Sequence, residues 1–135
     1  MIQNNPNEVT VNKKNKVAVN SNEVHLNIGG MIFCTSRNTL EMYDSFFRML
    51  SSNNPSVKEL PFIDRDYTHF RYILNYMRGS KILPKEPLIL LELREEADFY
   101  CLEGLKSLLE QEITDEIKRS TSIIVELKRI RERLN

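Results

Sequence analysis

His25, His69, Cys34 and Cys101 are the side chains of this 135-residue sequence best suited to nucleophilic, acid–base or metal chemistry, with carboxylates scattered around them. A cysteine–histidine nucleophile needs its thiolate within hydrogen-bond reach of the imidazole. The local sequence argues against that pair. Cys34 sits in an apolar run, His25 alternates onto the outward side of a strand, and His69 falls at the third position of a helix, where a capping role accounts for it. The carboxylate pairs Glu95-Glu96 and Asp64/Asp66 read as a solvated helix face and as helix caps. Structural zinc calls for short spacings such as Cys-x-x-Cys or His-x-x-x-His, and the sequence contains neither. The expectation is a chain with no catalytic residue, no metal and no cofactor, and therefore not an enzyme.

Charge points the same way. Nineteen basic residues balance nineteen acidic ones, so no global positive field draws in nucleic acid or an anionic membrane. The basic cluster Lys118, Arg119, Lys128, Arg129, Arg131 and Arg133 is interleaved with Asp115, Glu116, Glu126 and Glu132, which is the pattern of a solvated helix surface. No apolar run approaches the ~20 residues of a membrane helix, and the start lacks the apolar region of a secretory signal. Both cysteines lie inside apolar runs, as small buried hydrophobes do in a reducing compartment. These features set the expectation of a cytoplasmic or nuclear chain that is not secreted and binds neither nucleic acid nor membrane.

The elements that position these residues follow from hydrophobic period and punctuation. Residues 1–22 are polar and Asn/Lys-rich, a composition that cannot offset the entropy of ordering, and they read as a flexible tail. The alternative for part of this stretch is a hairpin over Val9 to Val19. From Val24 the pattern changes: Val24, Leu26 and Ile28 alternate with His25 and Asn27, then Gly29-Gly30 precedes Met31, Ile32, Phe33 and Cys34. A phosphate cradle would need further glycines and a helix directly after the strand. A second strand-like run follows instead, so the glycines are expected to supply the positive φ angles of a hairpin turn.

Downstream, Asn38 with Glu41, and Asp44-Ser45 ahead of Phe46, predict two short capped helices. "ELPFID" predicts a third strand ending at Ile63. Asp64 and Asp66 offer caps for a helix carrying Phe70, Ile73, Leu74 and Met77, which Gly79 stops. Helical periodicity resumes through Leu90, Leu93, Ala97 and Leu102, with Gly104 expected to mark a break between two helices. The sum is an α+β domain over residues 23–110, built on a small three-stranded sheet with surrounding helices.

Residues 111–135 form a separate amphipathic helix. Ile113, Ile117, Ser120, Ile124, Leu127, Arg131 and Leu134 recur at alternating steps of four and three, and Ile123 and Ile130 widen the stripe. Two readings stay open: a short coiled coil, or a helix folded back on its own domain.

"VHLNIGGMIFCTSRNTL", "YDSFFRML", "PFIDRDYTHFRYILNYMRGSKILP" and "REEADFYCLEGL", in that order and spacing, resemble the potassium channel tetramerisation class of BTB/POZ domains over about residues 24–109. The resemblance implies a BTB/POZ fold and ring-like homo-oligomers, tetramers or pentamers, joined through polar faces. It places the subunit interface at Phe62, Asp64, Arg65, Asp66, Arg71 and Arg78, since a cyclic ring uses complementary charge on opposite faces. It further implies a protein partner at Tyr43, Phe46, Phe47, Met49 and Pro61. Soluble relatives of this class serve as adaptors for cullin-RING ubiquitin ligases, so a cullin scaffold is one implied partner. Interference with other BTB proteins through mixed oligomers is the alternative. The sequence carries no membrane pore, sets little beyond the domain except the terminal helix, and lacks the cysteine-pair zinc motif of some channel domains. The expectation is an interaction module rather than a channel subunit or a complete substrate adaptor.

Overall fold

The computed structural model describes residues 22–135. The tail assigned to residues 1–22 and the alternative hairpin over Val9 to Val19 thus lie outside the described residues, apart from Asn22. The elements run β1 (Glu23–Ile28), β2 (Met31–Ser36), α1 (Arg37–Leu40), α2 (Phe46–Asn53), α3 (Phe70–Met77), α4 (Pro87–Phe99) and α5 (Glu103–Leu134). The described residues divide into two compact units, the first ending at Phe70 and the second spanning Arg71–Asn135. The architecture is α+β, with helices outnumbering a small antiparallel sheet.

In the first unit, strand alternation buries Val24, Leu26 and Ile28 and leaves Glu23, His25 and Asn27 half-buried on the other face. β2 pairs antiparallel with β1 in a register that sets His25 opposite Cys34 and Leu26 opposite Phe33. The turn is the Gly-Gly pair, at φ +56° and +101°, and the Gly30 N–H donates to Asn27 Oδ1 at 2.8 Å. Two positive φ values are what a tight primed hairpin turn requires.

The expected third strand is reduced to two isolated parallel bridges, His25 with Glu59 and Ile28 with Ile63, so the sheet has two strands. Backbone bonds form at both ends of the segment. His25 N donates to Lys58 O at 2.8 Å and Leu60 N to His25 O at 3.0 Å; farther on, Ile63 N donates to Asn27 O at 2.9 Å and Gly29 N to Ile63 O at 2.9 Å. Between them stands Pro61, which has no N–H to continue a ladder. Leu60 and Ile63 are nevertheless buried.

The caps differ from the sequence reading in position. Ser36, not Asn38, caps α1 by accepting from Thr39 N at 3.1 Å. Glu41 instead accepts from the Ser51 hydroxyl at 2.9 Å, while Arg37 Nη1 donates to both the carbonyl and the hydroxyl oxygen of Ser51 at 3.2 Å. Ser45 caps α2 as expected, accepting from Phe47 N. Phe33, Phe47 and Phe70 form a tilted aromatic cluster, with ring centroids 4.8 Å apart for Phe33 and Phe70 and 5.7 Å apart for Phe47 and Phe70. Asp66 caps a turn rather than a helix: it accepts from the N–H and hydroxyl of Thr68, so α3 starts later, at Phe70. His69 lies in that turn, ahead of the helix in which it was placed.

In the second unit, Ile73, Leu74, Tyr76 and Met77 are buried, and Gly79 ends α3 at φ +103°. α4 begins on Pro87, whose missing N–H costs nothing in a first turn, and buries Leu90, Leu93 and Ala97. The break after α4 falls at Cys101 rather than Gly104. Leu102 N bonds back to Ala97 O at 2.9 Å and Cys101 N to Asp98 O at 3.0 Å, with Cys101 at φ +58°. This is the paired six-to-one and five-to-two closure of a Schellman cap, with cysteine where glycine is usual. Gly104 lies in the first turn of α5, where an added Cβ would meet Tyr76 Oη at 2.4 Å. Ion pairs join α4 and the segment before it to α5: Asp98 with Lys106 at 2.8 Å, Arg94 with Glu110 at 3.0 Å and Lys85 with Glu112 at 3.3 Å. No helix among the described residues is long and apolar enough to cross a membrane.

Candidate interaction surface

The segment after Leu60 is held by its backbone and offers its side chains outward. The bonds of Ile63 to β1 fix the chain, and Gly29 packs directly under the Arg65 carbonyl, where even a methyl group would have no room. Phe62 is 59% exposed, Pro61, Asp64 and Asp66 are exposed, and Arg65 is half-buried. The Thr68 hydroxyl, then its N–H, holds the Asp66 carboxyl below its ordinary range, so Asp66 stands as a fixed negative charge. An exposed phenyl ring is thus followed by a minus-plus-minus triplet of side chains on one short segment. Arg71 and Arg78, assigned to the same interface, belong to the second unit. Both are exposed, and Arg78 Nη1 reaches Asn75 Oδ1 at 3.4 Å.

The expected partner-binding residues divide by burial. Met49 and Pro61 are exposed, and Tyr43 and Phe46 are half-buried. Phe47 is fully buried in the aromatic cluster, so its assignment to a partner surface gives way. The helical stripe of α2 buries Phe47 and Leu50, and Met49 lies on the opposite side.

α5 is a continuous helix of 32 residues, and from residue 117 to its end every side chain is exposed. Ile113 and Ile117 line a groove of about 260 Å³ with Pro87, Leu91 and Thr121. Beyond it Ile124 is 52%, Leu127 60% and Leu134 82% exposed. The other face is charged, and Arg119 is paired with both Glu116 and Glu112, which raises its already high pKa.

The reactive side chains of the sequence reading are placed differently from expectation. Both cysteines are exposed rather than buried, and no disulfide joins them. Cys34 is outward because its register partner His25 is outward; Cys101 is outward because it forms the helix cap. The hairpin's outer face also collects groups that linear spacing conceals. One donor atom each from Glu23, His25 and Cys34 lie within 4.8 Å of one another. His25 Nδ1 is 2.6 Å from Glu59 Oε1, and its Nε2 faces Glu23 Oε1 at 3.8 Å. Lys58 Nζ holds the other oxygen of Glu23 at 2.9 Å. That bond keeps the Glu23 carboxyl below its ordinary value and raises the Lys58 ammonium above its own. Period-two alternation with hairpin register would have found this cluster, since Glu23 and His25 share a face and Cys34 is the cross-strand partner.

The BTB/POZ domain family model matches residues 24–111. The Arabidopsis thaliana protein "FH protein interacting protein FIP2" is 40% identical over 117 residues, which is 82% of this chain and 38% of that protein. The human "BTB/POZ domain-containing protein KCTD21" is 40% identical over 100 residues, covering 69% of this chain and 38% of its own length. Human KCTD5 is 32% identical over 109 residues, covering 76% and 47% respectively. The match thus spans less than half the length of each of these relatives.

Proposed function

The chain belongs to the BTB/POZ family, in its potassium channel tetramerisation class, and from that premise we propose that it is a non-enzymatic module that assembles with copies of itself and offers the assembly to a protein partner. The observation that carries this reading is the apolar stripe of α5. Isoleucine and leucine side chains left in water along several turns of one helix mark a contact surface. A second copy suits it, because its alternating steps of four and three are those of a self-complementary coiled-coil seam. Ser120 and Arg131 within that seam supply the polar positions that select register.

The exposed Phe62 with Asp64, Arg65 and Asp66 supports a second contact between subunits, with Arg71 and Arg78 as the basic complement on a neighbour. Heterologous contacts of this kind close into rings, here of four or five subunits. Light scattering after size exclusion tests both surfaces on the full chain. A mass of four or five subunits that falls with Asp64→Lys/Asp66→Lys assigns assembly to the domain, and one that falls only with Ile124→Lys/Leu127→Lys assigns it to α5. A monomeric wild-type protein at tens of micromolar would end the reading.

Within that reading a cullin scaffold is the partner the family class suggests, met by the exposed Met49 and Pro61 with the half-buried Tyr43 and Phe46 at their edges. Immobilised cullin N-terminal domain that retains the wild-type chain and loses Met49→Asp supports this; no retention removes the cullin. The identity of 32–40% with other members supports a second reading, mixed oligomers with related BTB chains. Co-purification of two differently tagged chains tests it, and separate homo-oligomers reject it.

A further inference from the structure

The polar cluster on the outer face of the hairpin has donors of the kind that bind metal. We propose that Cys34 Sγ, His25 Nε2 and Glu23 Oε1 form a site for a divalent transition metal of the zinc class.

The donor set comes first. Thiolate and imidazole select zinc and its neighbours over calcium or magnesium, and a carboxylate completes a mixed set that zinc accepts. Placement comes second. In a tetrahedral zinc site, with bonds of about 2.0 Å to nitrogen and oxygen and about 2.3 Å to sulfur, ligand atoms stand roughly 3.3–3.5 Å apart. Here one donor atom from each of the three residues lies within 4.8 Å of the other two, and the Nε2 to Oε1 separation is 3.8 Å, too long for a hydrogen bond and close to the ligand spacing. Adjustment of three exposed or half-buried side chains by about an ångström closes the rest, and the backbone beneath them is fixed by the β1–β2 ladder.

Orientation comes third. A metal-bound histidine typically donates its other ring N–H to a carboxylate, which fixes tautomer and ring angle. Glu59 holds this position, 2.6 Å from His25 Nδ1, and Glu59 is also the residue whose backbone bridges to His25. Nε2 is thereby left to face Glu23. Lys58 acts on the other side: by binding Oε2 of Glu23 it leaves Oε1 directed toward the imidazole. The ammonium is also a nearby positive charge, which lowers affinity relative to a fully acidic cage. With three protein donors, the fourth position falls to water or to a donor from a second molecule.

The test uses the reduced 135-residue chain with Co²⁺ and Zn²⁺ themselves as probes. Titration with Co²⁺ is expected to produce a thiolate-to-cobalt charge-transfer band saturating at one equivalent per chain, displaced by Zn²⁺. Cys34→Ser and His25→Gln abolish the band, Cys101→Ser leaves it intact, and Glu59→Gln weakens affinity by about 10-fold or more. Zn²⁺ raises the melting temperature of the wild-type chain and of Cys101→Ser but not of Cys34→Ser. Because Cys34 is exposed, its replacement by serine keeps the core, and circular dichroism checks that each variant is folded. Absence of the band in the wild-type protein, or a band carried by Cys101 and indifferent to Cys34→Ser, overturns the site.

Discussion

A Cβ built on Gly29 would lie 2.4 Å from the carbonyl oxygen of Arg65, so the hairpin turn and the charged segment after Ile63 are fitted to each other through one missing methyl group. The contact is backbone to backbone and cannot be relieved by a rotamer change. Gly29→Ala therefore combines a left-handed φ of +56° with a steric collision, and we expect it to cost at least about 2 kcal/mol. Gly30→Ala has the positive φ but open space around it, so only the conformational part remains, about 1 kcal/mol or somewhat more. Urea denaturation of the two variants separates the effects. Equal losses would show that Arg65 is not part of the constraint.

Cys101 occupies the left-handed position of a Schellman cap at φ +58°. A non-glycine residue there costs about 1–2 kcal/mol, partly offset by its smaller loss of freedom on folding. Cys101→Gly is expected to raise stability by up to about 1 kcal/mol, seen as a higher melting temperature. Cys101→Ala should leave it nearly unchanged, since the side chain is exposed. A Cys101→Gly variant less stable than Cys101→Ala would refute the strain argument.

Ser51 is 1% exposed and links two charged groups, donating to Glu41 and accepting from Arg37. Ser51→Ala removes the bridge without changing shape, and the loss of hydrogen bonds to charged partners predicts about 1–2 kcal/mol of destabilisation. Combining it with Glu41→Gln should cost less than the sum of the single changes, because both act on one network. Strict additivity in a double-mutant cycle would mean that the bridge does not form in solution.

The acid limb of stability has a named contributor in Asp98. Its hydrogen bond and attraction to Lys106 hold its carboxyl below the ordinary value of 3.8 in the folded chain. A group with a depressed folded pKa contributes stability that is present above its unfolded value and lost as pH falls through the folded one. Lys106 has the opposite sign: raised above 10.5 mainly by Asp98, its contribution is complete below that value and lost as pH rises through the higher folded pKa. Asp98→Asn should accordingly flatten both limbs, measured as urea midpoints from about pH 2 to 11. Both groups face solvent, so the effect is small and shrinks in salt. A profile unchanged by the substitution would exclude the pair.

Much of the fold was legible in the sequence because its signals are local. The alternation of Val24, Leu26 and Ile28 and the Gly-Gly turn specified the hairpin, and the spacing of Phe70, Ile73, Leu74 and Met77 specified α3. The misses have a common cause in tertiary competition. Ser36 took the cap expected at Asn38 because Glu41 was drawn to Ser51, and Pro61 cut the third strand to two bridges. Cys34 and Cys101 looked like core because they sit in apolar runs, yet register and a helix cap turned both outward. The Glu23, His25 and Cys34 cluster escaped a search by linear spacing because a hairpin brings its members together across the turn. Phe47 could not be told from Phe46 by type, and only the phase of α2 decided which of the two was buried.

The exposed stripe of α5 makes a prediction about helix content that is distinct from oligomer mass. A helix whose side chains from residue 117 onward all face solvent has little intrachain burial to hold it, and most helical stability in proteins comes from packing of an apolar face rather than from propensity. If a second copy covers Ile124 and Leu127, folding of this region is coupled to association, so the melting temperature read at the helical circular dichroism band should rise with protein concentration. Ile124→Lys/Leu127→Lys should remove that dependence and lower helicity by about the content of the last five turns, leaving the rest of the transition in place. Ile123 and Ile130 flank the seam rather than form it, so Ile123→Lys is expected to weaken the dependence without abolishing it. A melting temperature indifferent to concentration, with full helicity in Ile124→Lys/Leu127→Lys, would mean that α5 is held by its own charged pairs and that the stripe faces some other partner.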